Sequence, residues 1–144
     1  MRVIIGTLIL LLTAGAAPAP EPVDLDIVVT GLRSDAGEVR VCLWHTPAAF
    51  PDCSKGTDVR KLSARAGKTV TLHVDGLRPG TYAISAMHDE NNNARLDKSP
   101  LGLPTEGVGF SNNPRLMFGP PAYAKTRFEA GASTTQTVRI KYFL

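Results

Sequence analysis

Residues 89–97 have the side-chain spacing of a calcium-binding loop. Their sequence, Asp-Glu-Asn-Asn-Asn-Ala-Arg-Leu-Asp, sets side-chain oxygens at relative positions 1, 3, 5 and 9. A hard cation such as Ca²⁺ takes roughly six to eight oxygen ligands, and alternate residues of a tight turn can aim their oxygens at one point. The pattern predicts a Ca²⁺ site with these ligands: Asp89, Asn91, Asn93, the backbone carbonyl of Arg95, and Asp97.

Two positions depart from the calcium-loop pattern. Ala94 stands where a Gly usually makes the turn, and Pro100 stands where a bidentate Glu usually completes the ligand set. An Ala with positive φ costs about 1 kcal/mol, and Glu106 is the candidate for the missing ligand. The competing interpretation is an Asn-rich turn whose side chains bond their own backbone without an ion. The sequence leaves both interpretations open.

His88, which precedes this turn, suggests a different chemistry. Together with Asp89 and Glu106 it would form the site of a cell-envelope hydrolase or lyase, provided that the three groups converge within ~5 Å in a concave pocket. The simpler role for His88 is a hydrogen bond to a nearby loop. Further loop candidates are Phe110, Ser111, Asn112 and Asn113, although Ser111 lacks the final Gly of a nucleophile elbow.

These candidates lie in a connection of more than thirty residues between two predicted strands. Connections of this length are usually functional or disordered. Apolar residues such as Leu103, Val108 and Phe110 can pack, so we expect the loop of residues 88–113 to be ordered.

Alternating apolar residues predict strands at 23–29, 39–43, 70–74, 82–86, 123–128 and 138–142, with 58–66 as loop or marginal strand. No helical pattern competes. The fold class is therefore all-β: a two-sheet sandwich, immunoglobulin- or transthyretin-like, of about seven strands. The Pro79-Gly80-Thr81-Tyr82 sequence is typical of a corner at which the Tyr hydroxyl bonds back to the backbone.

The N-terminus has the three parts of an export signal. Arg2 is followed by an apolar run over residues 3–12 and by small residues up to Ala19, so we predict a signal peptide at 1–19 with cleavage between 16 and 19. The run is shorter than the ~20 residues that span a bilayer, and we expect no membrane span in the mature protein. A single domain at 20–144, periplasmic or secreted, is the expectation.

Cys42 and Cys53 are the only cysteines. An exported protein meets an oxidising compartment in which such a pair usually bonds, so the sequence predicts a Cys42–Cys53 disulfide. Alternation places Cys42 on the strand face opposite Val41 and Leu43, so the bridge should lie outside the main core. A redox or metal pair is the alternative, but the C-x-x-C spacing is missing.

The charge argues against one class of partner. The chain has 16 Lys+Arg and 13 Asp+Glu, a net charge of +3, and the basic residues are scattered. Binding to nucleic acid requires a clustered basic surface, so no nucleic-acid partner is predicted. The partner is unidentified, with a cell-envelope component as one candidate.

Several segments together resemble the uncharacterised bacterial family called domain of unknown function 2141. They are Gly31-Leu32, Gly37-Glu38-Val39, Pro79-Gly80-Thr81-Tyr82, the loop residues 88–97, 101–107 and 109–113, Gly119-Pro120-Pro121 and Ile140-Lys141-Tyr142. The family motif H-D-x-N-x-N-G-x-x-D matches at His88, Asp89, Asn91, Asn93 and Asp97, while Ala94 replaces its Gly. The resemblance covers nearly all of the mature chain and implies an exported β-sandwich, but it implies no activity.

The leading functional hypothesis is thus an exported, non-enzymatic binding or structural module with a Ca²⁺ site in its long loop. The hydrolase or lyase is the alternative. A third hypothesis is carbohydrate or peptide binding, which needs exposed aromatic side chains near the loop; the candidates are Trp44, Phe50, Phe110, Phe118 and Tyr123.

Overall fold

The computed structural model describes residues 15–144, so most of the predicted signal peptide, residues 1–14, lies outside the described residues. Residues 15–22 are exposed and have no regular structure. The elements in chain order are β1 Val23–Thr30, β2 Glu38–Trp44, β3 Val59–Arg65, β4 Thr69–Leu77, β5 Gly80–Asp89, β6 Gly107–Phe110, α1 Tyr123–Thr126, β7 Phe128–Ala130 and β8 Thr134–Arg139.

The strands form two sheets, which confirms the all-β sandwich. One sheet has the order β4-β1-β8, with β1 antiparallel to β4 and parallel to β8. The other has the order β3-β2-β5-β6. The long strand β5 pairs with β7 at its start and with β6 near its end, so the 88–113 loop leaves the sheet from β5 and returns to it through β6.

The main core lies between the sheets and follows the alternation of the strands. Leu25, Ile27 and Val29 of β1 face Val39 and Val41 of β2, and all five are fully buried. Because side chains alternate across a strand, the intervening residues of β1 point outward. Tyr82 contributes to this core, and its hydroxyl donates a hydrogen bond to the Arg78 carbonyl at 2.8 Å. The predicted corner is confirmed.

Three element predictions need correction. Residues 123–128, predicted as a strand, form α1 and the start of β7, since only Phe128 of this segment extends along β5. Residues 58–66 contain a full strand, β3, despite their weak apolar pattern, because an edge strand gains its backbone bonds from β2 along its whole length. The last strand, predicted at 138–142, is β8 at Thr134–Arg139, because polar residues, Thr134 and Gln136, hold the inward positions before Val138 and Lys141 forms only an isolated bridge with Val108.

The predicted disulfide between Cys42 and Cys53 is present. Cys42, Trp44 and Ala83 form a second cluster on the outer face of the five-stranded sheet, with Phe50, Cys53 and Tyr123 packed on it. The bridge therefore lies outside the main core, as the alternation predicts. Among the described residues, no helix has the length and apolar character that crossing a membrane requires.

Candidate functional site

The 89–97 segment forms a tight turn held by the carboxylate of Asp89. Asp89 is fully buried at the end of β5, and its two oxygens accept hydrogen bonds from the backbone amides of Asn93 at 3.1 Å and Ala94 at 2.9 Å. The turn requires positive φ at Asn92, 57°, and at Ala94, 63°. Ala94 thus has the left-handed conformation for which a calcium loop usually uses Gly.

The remaining polar side chains of the turn meet at Asp97. The Asn91 amide nitrogen lies 2.7 Å from one carboxylate oxygen of Asp97, and the Asn93 amide nitrogen lies 2.9 and 3.0 Å from its two oxygens. The Asn91 side-chain oxygen accepts from the Asn93 amide, and the Asn93 oxygen accepts from Arg95. The side chains at relative positions 3, 5 and 9 therefore converge on one point.

Glu106 lies beneath the turn and joins its two ends. It is only 4% exposed, and its carboxylate accepts hydrogen bonds from the backbone amides of Glu90 at 3.1 Å and Asp97 at 3.2 Å. Burial raises the pKa of Glu106, and the nearby charges of Asp97 and Asp89 raise it further, against the lowering effect of the two amides. Three carboxylates are thus close to one another.

Charge compensation within the protein is partial. Arg40 donates to Asp89 at 2.7 Å, and Arg33 holds Glu90 at 2.6 Å and is stacked over Tyr142. Among the described side chains, no Lys, Arg or His forms an ion pair with Asp97. The donor set of carboxylates, amide oxygens and the Arg95 carbonyl suits a hard cation. Binding would require the two Asn amides to rotate so that oxygen instead of nitrogen faces the point of convergence.

His88 occupies a different environment from the one a catalytic base needs. It is fully buried; its Nε2 donates to the Ala36 carbonyl at 2.7 Å, and its Nδ1 lies 2.7 Å from the Tyr142 hydroxyl, which accepts from the Arg33 amide. Both ring nitrogens are used inside the protein. A general base must reach its substrate directly or through one water, so this geometry supports the structural role of His88.

The structure does not assemble His88, Asp89 and Glu106 around a cleft. All three are at least 96% buried. A groove of about 680 Å³ does exist, but it is lined by residues such as His45, Asp58 and Tyr82 and by none of the loop candidates. No observation favours the hydrolase or lyase.

The glycines of β6 let the two sheets approach closely. A Cβ on Gly107 would overlap the Ile140 side chain, and one on Gly109 would lie 2.8 Å from Val138 Cγ1 and 2.9 Å from the Arg139 carbonyl oxygen. Real Cβ atoms essentially never come so close. These glycines therefore have a packing role.

Ser111, Asn112 and Asn113 bond to backbone. The buried Ser111 hydroxyl accepts from the Ile84 amide and donates to the Thr126 carbonyl, and Asn112 donates to the carbonyls at either side of Thr126. Asn113 donates to the Thr137 carbonyl at 2.9 Å and accepts from the Arg139 amide at 2.7 Å, as a neighbouring strand would. These residues close the sandwich.

The aromatic candidates for carbohydrate or peptide capture are mostly enclosed. Trp44 and Phe110 are buried, and Phe50 packs between them and Tyr123, with ring centroids 5.4 to 6.1 Å apart. Only Phe118 of the five is free, at 95% exposure. A single exposed ring is a poor platform for a sugar.

One group of polar residues is brought together only by strand pairing and is not predicted from the sequence. Asp24, Asp26, His73 and Asp75 share the outer face of the three-stranded sheet. The alternation within each strand was visible, since Asp24 and Asp26 flank Leu25, and His73 and Asp75 flank Val74. The pairing of β1 with β4 was not, because these segments are 47 residues apart along the chain.

Comparison with known protein families decides the relationship. A family model described as an uncharacterized protein conserved in bacteria, DUF2141, matches residues 27–138. The chain belongs to DUF2141. Searches of curated proteins and of solved structures found no match. Neither the family match nor the β-sandwich assigns a role to the 89–97 turn of this DUF2141 protein.

Proposed function

We propose that this DUF2141 protein is an exported, non-enzymatic binding or structural module whose long loop is held against the sandwich by Ca²⁺. The ligands would be Asp89, Asn91, Asn93, the Arg95 carbonyl and Asp97, with Glu106 completing the set. The observation that carries the proposal is the convergence of the Asn91 and Asn93 side chains on Asp97.

The charges near this point support a cation. Asp97 is half-buried and has only amide donors around its carboxylate, while Glu106 lies beneath it and Asp89 beside it. Neighbouring carboxylates in a partly buried place repel one another. A divalent ion would offset that repulsion and fix both ends of a turn that connects β5 to the remaining loop.

Thermal unfolding of the mature protein with Ca²⁺ and with EDTA tests the proposal. At one hundred times its Kd, a ligand of the folded state contributes ~2.7 kcal/mol, which for this chain length corresponds to a rise in Tm of about 8–16 °C. Asp97→Asn should remove most of that rise. The matched control is Asp35→Asn, an exposed carboxylate outside the turn, which should keep it.

The outcomes separate the two interpretations of the turn. Coincident curves in Ca²⁺ and EDTA would exclude the ion and leave a turn stabilised by its own hydrogen bonds. A rise that persists unchanged in Asp97→Asn would place the ion elsewhere and refute this ligand set.

Export is a separate part of the proposal, supported by the N-terminal sequence and by the disulfide. Expression of the full chain in a bacterium should yield a mature protein that begins after a residue between Ala16 and Ala19, found outside the cytoplasm. Cell fractionation determines where the protein is located, and intact-mass measurement of the fractions determines its N-terminal residue. A cytoplasmic protein that retains Met1 would contradict the assignment.

A further inference from the structure

The outer face of the three-stranded sheet has a histidine surrounded by aspartates. His73 of β4 lies directly opposite Asp26 of β1, and its Nδ1 is hydrogen-bonded to that carboxylate. Two residues along β4, Asp75 approaches the other ring nitrogen, with Oδ1 2.8 Å from Nε2. Alternation puts all three side chains on the solvent face.

A register irregularity brings in a third carboxylate. The pairing of β1 with β4 shifts between Val23 and Leu25, and bulges of this kind re-aim side chains. Here Asp24 turns toward β4, where its carboxylate accepts from the Gly76 amide at 3.1 Å. One ligand atom each from Asp24, His73 and Asp75 lies within 4.8 Å of the others.

We infer that Asp24, His73 and Asp75 form a surface site for a divalent transition-metal ion of the Zn²⁺ class. Zn²⁺ binds imidazole nitrogen and carboxylate oxygen at about 2.0–2.2 Å, so ligand atoms of one ion lie up to roughly 4 Å apart. Small rotations of exposed side chains would close the present separations. Three protein ligands leave a further position open for water or a partner's group.

Asp26 is a positioning residue in this proposal. A metal-binding histidine usually gives its other ring N–H to a carboxylate, which fixes the tautomer and the ring orientation. Asp26 does this at Nδ1, and the ion would replace the proton that Nε2 shares with Asp75. The donor set differs from that of the 89–97 turn, because it contains an imidazole, and the two proposals stand independently.

The same protein offers a matched control histidine. His45 is also exposed and pairs with a single carboxylate, Asp58, at 3.0 Å. It has the charge pair but lacks the second and third carboxylates around it among the described groups. Comparison of the two histidines therefore separates a metal site from an ordinary surface ion pair.

Calorimetric titration of the tag-free mature protein with ZnCl₂ tests the inference, with side-chain ¹⁵N spectra to identify the histidine involved. The expected result is saturable one-to-one binding with a shift of the His73 nitrogens. His73→Gln and Asp75→Asn should weaken binding at least tenfold, and Asp26→Asn should weaken it about 10-fold or more. His45→Gln should bind as the wild type does.

Zn²⁺ binding that His73→Gln leaves intact, or that His45→Gln abolishes, would overturn the site. So would the absence of saturable binding. Three of the four variants change exposed residues, and the fourth changes Asp26, whose side chain is 46% exposed, so their folding can be confirmed by their Tm. Asp97→Asn should keep its Zn²⁺ affinity, which makes failure at this sheet distinguishable from failure of the calcium proposal.

Discussion

An Ala-to-Gly substitution usually destabilises a protein, but Ala94→Gly should stabilise this one. Ala94 has φ +63° in the 89–97 turn. The left-handed conformation costs an L-residue with a Cβ about 1–2 kcal/mol of free energy, whereas it costs Gly almost nothing. Gly also makes the unfolded chain more flexible, which costs about 0.4–1 kcal/mol. The difference predicts a net gain of about 0.5–1 kcal/mol.

The matched control is Ala132→Gly. Ala132 is an exposed bend residue without positive φ, so the change should only increase the entropy of the unfolded chain and lower stability by about 0.4–1 kcal/mol. The two substitutions are chemically identical and should have opposite signs. The two alanines differ in backbone conformation, since only Ala94 has a positive φ.

Urea unfolding in EDTA measures both variants without any contribution from an ion. Ala94→Gly should raise the unfolding midpoint and Ala132→Gly should lower it, each with an unchanged slope. If Ala94→Gly destabilises the protein as much as the control does, the turn does not hold this residue in the left-handed region and the assignment of a calcium-loop conformation fails.

Two more predictions concern packing and pH. Gly109→Ala should lower stability by about 1–3 kcal/mol, as overpacking does, since its Cβ would meet the β8 backbone at 2.9 Å; Gly131→Ala, with open space around it, should not. Both are read by urea unfolding. The hydrogen bond from Arg33 lowers the pKa of Glu90, so this pair contributes stability above the ordinary Glu pKa of about 4.3 that is lost as pH falls through the lowered value. The stability difference between wild type and Arg33→Gln should therefore be full at pH 6 and shrink as the solution is acidified below the ordinary Glu pKa; a difference that is constant with pH would contradict the ion pair.

Much of the fold was predictable because half-buried strands alternate. In β1, β2 and β4 each inward position is a branched aliphatic residue, and the sandwich follows from several such strands. The errors have the same origin. β3 is an edge strand with a charged outer face, and β8 has Thr134 and Gln136 at inward positions. Backbone pairing decides both strands, and pairing is not visible in local composition.

The candidate site was predictable only as far as local spacing reaches. The candidate ligands of the turn, apart from Glu106, lie within nine consecutive residues, and their convergence follows from that spacing. The polar cluster beside His73 depends on the register between strands far apart in sequence, and a shift of one residue would point the polar side chains of a strand into the core. The burial of His88 likewise depends on Tyr142 and Ala36, which reach it from other segments.

Side chains that are already hydrogen-bonded within the protein limit where a partner could bind. The polar side-chain atoms of three loop residues, Ser111, Asn112 and Asn113, are hydrogen-bonded to backbone groups. The close approach of the two sheets requires glycine at positions 107 and 109. A polar group already bonded inside the protein has little to offer a ligand, because a new bond would cost the old one. The second half of the DUF2141 loop therefore closes the sandwich, while in its first half Asn91, Asn93 and Asp97 bond to one another at the surface and Asp89 is buried. Exchanging these surface bonds for a cation would leave the core closed, so the first half is where we expect an ion or partner to bind.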